Sequence, residues 1–163
     1  MPNEDLTFRP MHTSAEDFQL FKECFAGNGM QKDSAHLHWQ YFSNPSQRPL
    51  VNFALASNKS GSKIASIYAT IPVRVGIGGC KRLAAQSLDT LTHINYRRRG
   101  LFKTLAEAVY QRCVHEDVHF VYGFPNANSS HGFFERLGWT PLHRVPFLFR
   151  PKCDHSVRMR RRL

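Results

Sequence analysis

Leu91-Thr92-His93-Ile94-Asn95-Tyr96-Arg97-Arg98-Arg99-Gly100-Leu101-Phe102-Lys103-Thr104-Leu105 is where the chain changes its period. Upstream, residues 81 to 94 read as a long strand. Downstream, Leu101, Leu105, Ala108, Val109 and Cys113 fall on one helical face between Gly100 and Glu116. A strand that turns tightly into a helix leaves the first N–H groups of that helix without partners, and the helix dipole adds partial positive charge there. Gly100 lets a ligand approach the backbone closely, and three arginines surround the same point. These features describe a site for a pyrophosphate or similar anion. Charge and turn chemistry alone also allow an ordinary turn with solvated arginines.

Working outward, Leu6 to Pro10 reads as a first strand. Ser14 is an N-cap with Asp17 in the capping-box position, and Phe18, Leu20, Phe21, Cys24 and Phe25 follow at helical spacing. Gly27-Asn28-Gly29 ends that helix. A second helix is expected over Ser34 to Phe42, stopped by Asn44-Pro45. Leu50–Ser57, Ile64–Ile77 and Lys81–Ile94 form an antiparallel meander with a hairpin turn at Gly78-Gly79. After the helix at 101, Val118–Phe124 is a short strand. Asn128 or Ser129 caps a further helix that Gly138 stops, and Trp139–Phe149 is a last strand bent or placed at an edge by Pro141 and Pro146. The order predicts an α/β fold of the α+β kind, a mixed sheet whose later strands are joined by crossover helices.

Composition narrows the function classes. The chain has 163 residues, enough for one domain with a sizeable core, and 42% are apolar. No run of 18 apolar residues occurs, and Met1-Pro2-Asn3-Glu4-Asp5 lacks the pattern of a signal peptide. Cys24, Cys80, Cys113 and Cys153 form no C-x-x-C pair, which argues against zinc ribbons and disulfide scaffolds and fits a reducing cytoplasm. Lys and Arg number 22 against 12 acids, a net charge of +10, so a phosphate-rich ligand is a natural partner. The cluster Arg158, Arg160, Arg161, Arg162 reads as a solvated basic tail.

Tyr96-Arg97-Arg98-Arg99-Gly100-Leu101-Phe102-Lys103-Thr104-Leu105 resembles the acyl-CoA-binding motif of the GNAT superfamily of N-acyltransferases, Arg/Gln-x-x-Gly-x-Gly/Ala. Arg97 and Gly100 match its first two fixed positions; Phe102 departs from the third. Asn126-Ala127-Asn128-Ser129-Ser130-His131-Gly132-Phe133-Phe134-Glu135-Arg136-Leu137-Gly138-Trp139 is similar to the family's second motif. Tyr122-Gly123-Phe124-Pro125-Asn126 resembles one branch of it.

The resemblance implies a GNAT-like fold over residues 1–150, with a mostly antiparallel sheet, a splayed parallel strand pair and flanking helices. It implies acetyl-CoA as co-substrate, an amine on a small molecule or peptide as acceptor, no metal and no membrane. Pantetheine would lie in a gap between Gln86–Ile94 and Val118–Phe124. Leu91, Thr92 and His93 would offer it backbone partners. Arg97, Arg98, Arg99, Gly100, Leu101 and Phe102 would wrap the pyrophosphate, with Lys103 and Thr104 at the rim. Asn126 or Asn128 would bind the pantetheine arm or the 3′-phosphate end.

Direct transfer from thioester to amine needs no covalent enzyme intermediate, only a polarised carbonyl, a neutral amine and a departing thiolate. Many relatives use a tyrosine as general acid; the matching position here is Phe134. Asp89 is the candidate base on the central strand. His93 shares its parity, which puts both on one face. The structural alternatives are a carboxylate that satisfies neighbouring backbone or arginine groups, and a partly exposed strand histidine. Trp39 and Tyr41 lie in a helix that often roofs the acceptor side in this family. His36 and His38 cannot share a helical face, and a metal pair of His115 and His119 fails because the helix ends between them.

Two other classes of function stay open: a CoA-binding domain without turnover and a basic nucleic-acid-binding module. The arginines gather at one strand–helix junction and are not strung along a helix with interleaved aromatics, which disfavours nucleic acid. Residues 151–163 are expected to be a basic tail. Either Ser156 to Arg160 makes a short edge strand, or the edge is covered by a second copy in a homodimer or by further chain of a longer protein.

Overall fold

The computed structural model describes residues 5–12, 14–45, 49–58 and 61–142. The elements are β1 (Asp5–Pro10), α1 (Ala15–Ala26), α2 (Ser34–Tyr41), β2 (Leu50–Asn58), β3 (Gly61–Ile77), β4 (Cys80–Thr92), α3 (Leu101–His115), β5 (Phe120–Gly123) and α4 (Ala127–His131). Among the described residues the sheet order is β1-β2-β3-β4-β5, antiparallel up to β4 and parallel between β4 and β5. This is the mixed sheet that the sequence predicts. Gly78 and Gly79 take φ of +58° and +76°, the left-handed pair that a two-residue hairpin needs.

β2 and β3 divide between two buried clusters on opposite faces, and in β3 an irregularity at Ala65 shifts the period-2 alternation by one. Leu50, Ala54, Ala65 and Tyr68 join Leu101, Leu105, Val109 and Phe133 beneath α3. Val51, Phe53, Ile64 and Ile67 join Phe21, Phe25, Leu37 and Tyr41 beneath α1 and α2. Ile64 to Thr70 are therefore buried on both faces.

Helix caps follow local chemistry. Ser14 accepts the Asp17 N–H at 3.2 Å. The Asp17 carboxylate does not close the capping box. It takes two bonds from Arg9, at 2.8 and 2.6 Å, and one from the His12 N–H at 2.6 Å, which ties β1 to α1. Burial would raise the Asp17 pKa, but the Arg9 and His12 bonds outweigh it and hold the carboxyl below its ordinary value.

Several boundaries differ from expectation; β3 starts at Gly61, three residues before Ile64. β4 stops at Thr92: the His93 N–H still reaches the Ala65 carbonyl, but the Tyr96 N–H takes the His93 carbonyl and closes a 3-10 turn over Ile94–Tyr96. β5 is shorter than expected. The cap of α4 is Asn126, not Asn128 or Ser129: its Oδ1 accepts both of their N–H groups at 3.0 Å, and Ser129 Oγ returns a bond to the Asn126 N–H. Residues 139–142 are irregular, not strand, and the rest of that segment and the basic tail lie outside the described residues.

The β4–β5 pairing positions the site. It runs from Ala84–Phe120 to Ser87–Gly123 and stops. Gln86 and Ser87 are thus paired, so the gap is narrower than expected and starts at Leu88. Leu88–Thr92 continues along β3 with no β5 partner. At the apex, Ser87 Oγ donates to the Tyr68 hydroxyl at 3.4 Å, the Tyr68 and Tyr110 hydroxyls stand 2.7 Å apart, and Trp139 Nε1 donates to Tyr110 at 2.8 Å. A Cβ on Gly123 would stand 3.1 Å from the Ser87 carbonyl oxygen and 3.3 Å from the Trp139 ring. Glycine is what lets the apex close so tightly.

Candidate functional site

The open strand carries a bulge. Ile67 pairs with Leu91 and Ala69 with Leu88, so Asp89 and Thr90 together oppose Tyr68. Asp89 takes a φ of +46°, which a short polar side chain tolerates better than most. Its carboxylate turns toward α2 and accepts three side-chain donors: Lys32 Nζ, Gln40 Nε2 at 2.7 Å and the Tyr41 hydroxyl at 3.0 Å. Lys32 also lies 4.8 Å from the centre of the Phe25 ring. Burial first, and then the Asp89 charge, push the Tyr41 pKa well above the ordinary value, so its hydroxyl keeps its proton and donates.

Asp89, Leu91 and His93 keep one parity beyond the bulge. Asp89 and His93 both reach the α1–α2 side, and a Cβ on Gly27 at the end of α1 would stand 2.9 Å from His93 Nε2. His93 Nδ1 accepts the Asn95 N–H at 3.3 Å, so the neutral ring carries its proton on Nε2. Burial, then Lys63 and Arg97, lower its pKa and favour that neutral form. Neither ring nitrogen is left with an unused lone pair.

The open strand ends in the arginine turn. Arg98 and Gly100 have φ of +65° and +76°, and Leu101 then starts α3. A left-handed residue followed by helical ones turns successive N–H groups to one side and forms an anion-binding concavity. Gly100 offers no side-chain cap, so the N–H groups of Leu101, Phe102 and Lys103 have no partner within the helix. A cavity of about 110 Å³ sits here, lined by Thr92, Tyr96, Arg97, Arg98, Arg99, Gly100, Leu101, Phe102, Lys103 and Arg136. Five cations line it and no carboxylate does. Arg97 Nε reaches the Thr92 carbonyl at 3.4 Å, and the Arg99 guanidinium lies 5.1 Å from the centre of the buried Tyr96 ring. A larger cavity near 780 Å³ lies between Asn44, Pro45, Pro72, Val73, Arg74, Leu83 and Glu116. It includes no residue of the open strand or the turn, so its size does not make it the site.

Phe102, the departure from the motif, points its ring at α4. It meets Phe133 edge-on at 5.4 Å, and a Cβ on Gly132 would touch it at 3.2 Å. The bulky residue is thus accommodated by a glycine in the π-helical turn Gly132–Arg136. Arg136 of that turn faces the cavity, and the sequence reading missed it. Its place within the second motif was the available signal, because that segment folds back on α3. Phe134 in the same turn offers no hydroxyl. Tyr41 is core, whereas Trp39 is 64% exposed. Asn126 spends its side chain on the cap, while Asn128 is exposed. Among the described residues no cluster of three or more metal-ligating side chains occurs, and no helix is long and apolar enough to cross a membrane. His115 is the last residue of α3, and His119 lies beyond it, 3.2 Å from Arg82.

Residues 9–142 match the family model for the acetyltransferase (GNAT) domain. The chain belongs to the GNAT acetyltransferase family. No curated protein matches the sequence. Solved GNAT-like structures share the fold. An aminoglycoside acetyltransferase from an uncultured soil metagenomic sample, solved with trehalose, is 18% identical with a TM-score of 0.67, covering 90% of this chain and 95% of its own. A glucosamine-6-phosphate N-acetyltransferase from Arabidopsis thaliana is 14% identical with a TM-score of 0.64, covering 90% and 99%. A predicted acetyltransferase from Clostridium acetobutylicum, solved with acetyl-CoA, is 10% identical with a TM-score of 0.67, covering 89% and 96%. At such identities the likeness is one of fold. The strand pair that parts after Ser87 and the turn at Arg97–Gly100 both lie within the matched residues.

Proposed function

We propose that this GNAT protein transfers an acetyl group from acetyl-CoA to a primary amine by direct attack. The observation that carries the reading is the continuity of a strand edge left open on its β5 side, Leu88–Thr92, with a turn lined by five cations at a bare helix N-terminus. Pyrophosphate belongs at the N–H groups of Leu101–Lys103, with Arg97, Arg98, Arg99 and Arg136 around it. Leu91 and Thr92 offer backbone groups to pantetheine, whereas the His93 N–H and carbonyl are spent on Ala65 and Tyr96, and Asn128 supplies the amide that Asn126 cannot. The thioester then lies near the bulge. With Phe134 in the usual tyrosine position, the thiolate leaves without a side-chain proton donor.

Asp89, saturated by three donors, is a poor base, and this favours a second reading: a CoA-binding domain without turnover. Two measurements separate the readings. CoA at a hundredfold excess over its dissociation constant should add about 2.7 kcal/mol of stability, read as a higher melting temperature. Released thiol with acetyl-CoA and a panel of amines then distinguishes transfer from binding alone. A folded sample whose melting temperature ignores millimolar CoA sinks both.

A further inference from the structure

The same bulge leads to a second cluster, on α2. His36, Trp39 and Gln40 lie three and four residues apart and share one helical face. Gln40 Nε2 donates to Asp89 at 2.7 Å. A carboxylate only accepts, so the amide nitrogen must face Asp89 and its oxygen must face away. That oxygen, Oε1, lies 3.1 Å from His36 Nε2. It too only accepts, so His36 Nε2 carries the proton. In the neutral ring Nδ1 is then the lone-pair nitrogen. Asp89, Gln40 and His36 form a relay from the open strand to a proton-accepting nitrogen on the exposed side of α2.

The surroundings suit an amine. The Trp39 ring lies 5.6 Å from the His36 ring, and an exposed tryptophan face attracts an ammonium. Asp33 caps this turn by accepting the His36 N–H at 2.8 Å, which fixes the start of the helix that carries His36. The other ionisable groups packed against the relay, Lys32 and Tyr41, both donate to Asp89.

We propose that His36 accepts the proton of the incoming ammonium, with Gln40 and Asp89 as positioning residues and Trp39 as the face that captures the cation. This rests on the acetyl-transfer reading. An ammonium N–H bond breaks and its proton moves to Nδ1, giving imidazolium and a neutral amine. The amine lone pair forms the C–N bond at the thioester carbonyl carbon, and the C–S pair leaves with the CoA thiolate. The second ammonium proton passes to solvent as the amide forms.

The test compares two probe nucleophiles with acetyl-CoA at neutral pH: ethylamine, which is cationic, and hydroxylamine, which is already neutral. His36→Ala, at an exposed position, should lower kcat/KM for ethylamine by about 100-fold, the size of a general-base contribution, and for hydroxylamine far less. Equal losses with both probes, or no loss with ethylamine, overturn the proposal. Independently, long-range proton–nitrogen spectra of the ligand-free protein should show His36 as the Nε2–H tautomer, and Gln40→Leu should give a mixture. An Nδ1–H tautomer in the wild type overturns the relay whatever the turnover. CoA binding with no transfer to either probe overturns the acetyl-transfer reading and, with it, the role of His36.

Discussion

Gly100→Val is expected to remove the CoA-dependent rise in melting temperature and to lower the melting temperature of the free protein only modestly. Space is not the reason, because a Cβ at Gly100 meets no atom within 4 Å. The backbone is. Gly100 holds φ +76° and ψ −3° at the start of α3, a conformation that costs an L-residue about 1–2 kcal/mol and suits a β-branched one least. The turn relaxes to a negative φ, and the N–H groups of Leu101, Phe102 and Lys103 lose their common direction. A hydrogen bond to a charged group contributes about 1.5–3 kcal/mol, so losing two of them costs more than about 100-fold in CoA affinity. Gly100→Asn, which tolerates the left-handed region, should keep part of the shift. A Gly100→Val protein with the wild-type CoA shift would place the phosphates elsewhere.

Asp89→Ala should be the most destabilising single change near the site. It strands the Lys32 ammonium, the Gln40 amide and the buried Tyr41 hydroxyl together. It also puts a residue without a short polar side chain at φ +46°. Breaking a buried ion pair costs about 3–5 kcal/mol. The Lys32 side chain is 22% exposed, so screening brings the expectation to about 2–4 kcal/mol. Asp89→Asn keeps one acceptor and tolerates the backbone, and should lose about half as much. Urea denaturation measures both. An Asp89→Ala midpoint that matches the wild type would show that the cluster contributes nothing.

The strands and the anion turn were legible in the sequence because their signals are local. β-Branched residues marked β3, Gly78-Gly79 marked the hairpin, and Arg97–Gly100 marked the junction with α3. The bulge was not legible, because an aspartate inside a strand carries no glycine-like signature of a positive φ. It puts Leu88 and Leu91, three residues apart, on one face, while the shared face of Asp89 and His93 is kept. The partners of Asp89 were out of reach for a different reason: Lys32, Gln40 and Tyr41 lie 57, 49 and 48 residues away. Asp89 could be read as a base or as a structural carboxylate, and only the fold shows three donors on it. Arg136 and the Phe102–Gly132 contact depend likewise on how the α4 segment folds onto α3. The Asn126 cap was within reach, since Ser129 completes its box with a hydroxyl where the familiar pattern has a carboxylate.

The most direct test of the CoA site is amide mapping on nitrogen-labelled protein titrated with CoA. Saturable shifts are expected in two stretches, Leu88–Thr92 on the open strand and Arg97–Lys103 at the turn, with Arg136 joining the second. Shifts confined to the β3–β4 hairpin tip near Gly78, or none at saturating CoA, would contradict the account.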